Sequence, residues 1–106
     1  MDTMTLRLPR RMSDALLTSQ AAQGNDGDPL AERLIATVRK VKPRKDGSRL
    51  VTLDADEVAV LVEYAETLEE SARDSVSIDP GDSLADIRAA RAVLGAVREQ
   101  RVPSAT

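Results

Sequence analysis

The stretch that most constrains this chain is residues 4–9, Met-Thr-Leu-Arg-Leu-Pro. Apolar Met4, Leu6 and Leu8 alternate with polar Thr3, Thr5 and Arg7, and Pro9 closes the run. Period-two alternation predicts a short strand that buries one face and turns Thr, Thr and Arg outward. Pro9 cannot donate a ladder hydrogen bond and suits the first turn of a helix, so the strand ends there and a helix follows. Leu50-Val51-Thr52-Leu53 predicts a second short strand.

Elsewhere the apolar residues recur at helical spacing. Arg10 to Ala22 is expected as a first helix, with Met12, Ala15, Leu16 and Ser19 at three- and four-residue steps. Gly24-Asn25-Asp26-Gly27 is turn chemistry. Asp28 then reads as an N-cap and Pro29 as the first residue of a second helix, striped by Leu30, Leu34, Ile35, Val38 and Val41 and ended by Pro43. Asp46-Gly47 is a further turn. Asp54 to Glu57 has the pattern of a capping box, and Val58, Leu61, Val62, Ala65, Leu68 and Ala72 carry a third helix to about Arg73. Asp79-Pro80-Gly81-Asp82 is a turn, after which Asp82 or Ser83 caps a fourth helix striped by Leu84, Ile87, Ala90, Leu94 and Val97.

The expected fold is therefore mainly α with two short β-strands, strand-helix-helix repeated twice (β-α-α-β-α-α). The strands are free to pair as an antiparallel ribbon. The text Asp28-Pro29-Leu30-Ala31-Glu32 echoes Asp82-Ser83-Leu84-Ala85-Asp86, as a degenerate duplication would, though shared capping chemistry gives the same likeness. Residues 1–106 are expected to form one small domain. Its parts are a half at 3–41, a basic linker at 42–48, an acidic half at 49–101 and a tail at 102–106. Leu6, Leu8, Leu16, Leu34, Val38, Leu61, Val62, Leu68, Ile87 and Leu94 are expected in one core.

Composition narrows the chemistry. The chain has no Cys and no His, which removes disulfides, thiolate metal sites and the commonest general base. No Ser has a visible base and no glycine-rich phosphate loop occurs, so we expect no catalytic residues, no cofactor and no metal. Asn25, Asp26, Asp28 and Glu32 lack the spacing of a calcium loop. The one aromatic, Tyr64, is expected at the edge of the core, and stacking on single-stranded nucleic acid is not expected. The longest apolar run, Val58 to Val62, is too short to span a bilayer, and the N-terminus has no apolar signal region. The expected location is the cytoplasm.

Charge is unevenly distributed. Residues 1–50 carry ten Lys/Arg against six Asp/Glu, a net of +4, and residues 51–106 carry five against twelve, a net of −7. Such a split suits an anionic partner for the first half, or mutual attraction of the two halves. Within the basic run from Arg39 to Arg49, Lys40, Lys42, Arg44 and Lys45 are candidates for phosphate contacts. The third helix carries Glu63, Glu66, Glu69 and Glu70 away from its apolar stripe. These residues are either solvated or paired with Arg88, Arg91 and Arg98. On a sharper reading, Glu63, Glu66 and Glu70 form a docking face for a basic protein.

Residues 3–41 resemble the start of the ribbon-helix-helix DNA-binding proteins, the Arc repressor family. The likeness lies in an alternating strand with an Arg, then Leu8-Pro9, a basic helix start, and a second helix near Asp28. It implies that two strands pair antiparallel and enter the major groove, with Thr3, Thr5 and Arg7 touching base edges. It also implies a backbone phosphate at the amides of the second helix, near Asp28-Pro29-Leu30. The family usually has a Gly and a Ser or Thr cap there; this chain has Asn25-Asp26-Gly27-Asp28. The partners implied are duplex DNA and either a homodimer through residues 3–8 or a monomeric pseudo-dimer. Two functions follow from the sequence. One is a small DNA-binding protein of transcription regulation. The other is a non-enzymatic protein-interaction module, such as an accessory protein of a phage or other mobile element, acting through its acidic helices.

Overall fold

A computed structural model describes residues 3–19 and 28–101. The fold is mainly helical, with two antiparallel strands and four helices. In chain order these are β1 (Thr3–Leu8), α1 (Arg10–Leu17), α2 (Pro29–Lys40), β2 (Arg49–Asp54), α3 (Ala55–Asp74) and α4 (Pro80–Arg101). β1 pairs with β2 of the same chain, with Thr3 opposite Asp54, Thr5 opposite Thr52, Arg7 opposite Leu50 and Leu8 opposite Arg49. Opposed residues share a face, so Leu6, Leu8, Val51 and Leu53 all point into the core, where they are fully buried. α3 and α4 form a long helical hairpin, α1 packs on α4, and α2 packs on α3.

The core is aliphatic. Leu6, Leu8, Leu16, Leu34, Val38 and Leu61 lie within one cluster, with Val62, Leu68 and Leu94 half-buried at its margin. Ile87 is buried but stands outside that cluster. Tyr64 is half-buried and packs against the margin. Met12, Ile35, Val58 and Val93 complete the interior.

Local chemistry sets the ends of the elements. Asp54 Oδ1 accepts from Glu57 N at 2.8 Å and Glu57 Oε1 accepts from Asp54 N at 3.1 Å, the reciprocal box that starts α3. Buried Glu57 also accepts Thr37 Oγ1 of α2 at 2.8 Å, so both of its oxygens are satisfied. Asp28 caps α2 through Leu30 N at 3.0 Å. At the other end of α2, the half-buried Arg49 donates Nη1 to Val38 O at 3.1 Å and Val41 O at 2.6 Å. It thereby satisfies carbonyls that the helix leaves open.

Besides the place of Ile87, three details differ from the sequence expectation. α1 ends at Leu17, and beyond it the Thr18 and Ser19 hydroxyls donate to Asp14 O and Leu16 O at 2.8 and 2.7 Å; residues 20–22 and the turn at 24–27 lie outside the described residues. α4 starts at Pro80, earlier than the caps expected at Asp82 or Ser83. Proline is pre-set for a first helical position, and Asp79 accepts Ser83 N at its carbonyl (3.0 Å) and Asp82 N at its carboxylate (3.4 Å). Ser83 is consequently buried in the first turn of α4. Leu30 and Leu84, both expected on apolar stripes, are instead exposed near the N-terminal ends of α2 and α4.

Candidate interaction surfaces

The outward face of the ribbon carries Thr3, Thr5 and Arg7 from β1 and Leu50, Thr52 and Asp54 from β2. Pairing brings these side chains together and also ties most of their polar atoms to one another or to neighbours. The Thr5 and Thr52 hydroxyls are hydrogen-bonded at 3.0 Å. Arg7 donates Nε to Ser48 Oγ at 3.3 Å and forms an ion pair through Nη2 with Asp46. Asp46 Oδ1 accepts from Ser48 N at 2.9 Å and from Ser48 Oγ at 2.6 Å. These hydrogen bonds from Ser48, followed by that from Arg7, hold the Asp46 carboxyl down at about 2. Gly47 makes the turn possible at φ 84°, and a Cβ there would lie 2.8 Å from Arg10 Cδ. Asp54, besides capping α3, accepts Arg33 Nη2 at 2.8 Å. Gln100 of α4 donates to Thr5 O at 2.9 Å.

The basic segment lies beside this clasp. Lys40, Lys42, Arg44 and Lys45 are all exposed, and none makes an ion pair among the described residues. At the N-terminus of α2, the site where the resemblance places a phosphate, the Asp28 carboxylate already takes the Leu30 amide. Asn25 and Asp26 lie outside the described residues.

On α3, Glu63, Glu66 and Glu70 are exposed and have no ion pair among the described residues. Glu69 differs: it is half-buried and accepts Arg73 at 2.7 Å and Arg91 of α4 at 3.1 Å. Of the three arginines expected to meet this helix, Arg91 does so.

A further bridge was not legible in the sequence. Arg11 of α1 reaches Asp82 at 3.0 Å and Asp86 at 3.1 Å on α4. This contact, led by the Asp82 hydrogen bond, raises the Arg11 pKa and lowers that of Asp82. The residues stand 71 and 75 positions apart, too far for any local pattern to signal. Among the described residues no cluster of acidic side chains could hold a metal ion, and no helix is long and apolar enough to cross a membrane. No protein-family model, curated protein or solved structure matches the chain.

Proposed function

We propose that this chain is a non-enzymatic protein-interaction module that takes a basic surface of a partner protein onto the acidic face of α3, formed by Glu63, Glu66 and Glu70. One contrast carries the reading. Most polar groups of the ribbon face have partners within the protein, whereas these three exposed carboxylates form no ion pair among the described residues. Bidentate reading of a guanine requires a free guanidinium edge, and Arg7 would first have to leave Asp46 and Ser48. α2 and α4 both follow an Asp, Asp28 and Asp79, whose carboxylates occupy amides that a phosphate would need.

The second reading is a ribbon-helix-helix DNA-binding regulator in which Thr3, Thr5 and Arg7 read bases. It is supported by Lys40, Lys42, Arg44 and Lys45, which are exposed and would give up no ion pair among the described residues on meeting phosphates. It includes a finer view of the fold, a duplicated strand-helix-helix unit closed within one chain. A two-fold axis between Thr5 and Thr52 would exchange α1 packed on α4 for α3 packed on α2, and both packings occur. The same axis makes Asp54 the counterpart of Arg7, so the β2 half of the face carries a carboxylate where the β1 half carries a guanidinium.

One set of titrations separates the two. Purified protein is titrated with genomic duplex fragments and with a basic helical peptide, at low and moderate salt. The interaction reading expects peptide binding that Glu63→Gln/Glu66→Gln/Glu70→Gln abolishes, and no duplex binding. Duplex binding whose salt slope flattens in Lys42→Ala/Arg44→Ala/Lys45→Ala, and whose sequence preference vanishes in Arg7→Ala, would overturn it.

A further inference from the structure

A furrow runs between the β1–α1 corner and the flank of α4. Two hollows of about 490 and 430 Å³ share Pro9, Arg10 and Ala92. The α4 wall is built from Ala85, Ala89, Ala92 and Ala96, which helical spacing puts on one face. Methyl side chains keep this wall low, so another backbone can come close. The opposite wall and rim are cationic. Arg7 and Arg11 are bound to Asp46 and to Asp82 and Asp86, but Arg10 and Arg88 are not so held. Arg10 has a single long pair to Asp14 at 3.8 Å with 74% of its side chain exposed, and Arg88 is exposed with no ion pair among the described residues.

The size and charge of the furrow indicate its occupant. Ala85 to Ala96 spans about 16 Å at the rise of a helix, room for about three turns of a second helix lying alongside. That helix should be small or acidic on its docking face. α3 meets this description: exposed Ala59, Glu63, Glu66 and Glu70 recur at three- and four-residue steps and cover about 16 Å. We infer that the α4 furrow receives the acidic face of α3 from a second copy of this chain, so that the protein self-associates through Arg10 and Arg88 on one copy and Glu63, Glu66 and Glu70 on the other. This rests on the reading of α3 as a docking face and names its partner. Because the two surfaces differ, the contact is heterologous, closing into a pair only when each copy offers both surfaces to the other.

The test is sedimentation velocity on the full chain, from micromolar to near-millimolar protein, at low and high salt. Wild-type protein should associate at low salt and dissociate as salt rises. Arg10→Glu/Arg88→Glu alone, and Glu63→Lys/Glu66→Lys/Glu70→Lys alone, should each weaken association by about tenfold or more, with circular dichroism unchanged. Mixing the two variants should restore association, since each then presents the other with opposite charge. A wild-type chain that stays monomeric at low salt overturns the inference, as does a mixture that fails to associate. Binding of the basic peptide decides the α3 reading separately: a monomeric chain that still binds it through Glu63, Glu66 and Glu70 loses only the second-copy assignment.

Discussion

Arg49 joins the ribbon to the end of α2, and replacing it tests how the two layers are locked. Arg49→Met keeps most of the aliphatic stem and removes the guanidinium. Lost with it are hydrogen bonds to Val38 O and Val41 O, at 3.1 and 2.6 Å. Hydrogen bonds from a charged donor contribute about 1.5–3 kcal/mol each. Val38 O keeps its bond from Val41 N at 3.2 Å, so the loss at that carbonyl is partial. Arg49 is half-buried, and water replaces some of the remainder. The expected cost is about 2 kcal/mol, or roughly 8–16 °C in melting temperature for a domain of this size. Urea unfolding followed by circular dichroism measures it, with Lys42→Met as the control because Lys42 is exposed and unpaired among the described residues. An Arg49→Met midpoint equal to the control would refute the view that this guanidinium closes the helix.

Leu61 is fully buried, so Leu61→Ala should cost about 2–5 kcal/mol with an unchanged urea slope. Ser13 Oγ is buried without a hydrogen-bond partner, and Ser13→Ala should raise the urea midpoint, through a gain of about 0.5–1 kcal/mol in unfolding free energy from propensity and the removed hydroxyl together. Asp46 should titrate near 2 by carboxyl-carbon NMR. Because its folded value lies below its ordinary 3.8, the clasp contributes stability that is complete above that ordinary value and lost as pH falls through about 2. Over that window the wild type should lose stability faster than Asp46→Asn. Asp54→Ala should destabilise by about 1–2 kcal/mol and Asp54→Ser by less, since Ser retains the cap and loses only the exposed pair with Arg33.

What the sequence disclosed was local. The alternation at Thr3–Leu8, the Asp54–Glu57 box and the Asp28-Pro29 start depend on neighbours within four residues, and each element stands where its pattern puts it. The misjudged boundary of α4 was also local: Asp79-Pro80 repeats the Asp28-Pro29 signal, but the turn residues around it concealed a cap. Strand pairing within the chain, the Arg7–Asp46 clasp and the Arg11 bridge join residues 39 or more positions apart, where no periodicity operates. Residue type and spacing point to the candidate site residues. Their freedom to act was decided by partners that the sequence does not identify.

The division of charge between the two halves is partly resolved inside the fold. Arg11 with Asp82 and Asp86, and Arg33 with Asp54, join the basic first half to the acidic second. These pairs stand in solvent, which screens them, so they join the two halves more than they stabilise them. They leave two unbalanced groups. The cations from Lys40 to Lys45 precede β2, and the helix carrying Glu63, Glu66 and Glu70 follows it. No ion pair joins the basic loop to these carboxylates among the described residues. Neither group is neutralised by the other within the described chain, and each keeps its counter-ions until another molecule displaces them. Released counter-ions favour association at low salt for either surface, which is why salt dependence alone cannot identify the partner. Charge reversal with rescue can, since only the matched surface recovers.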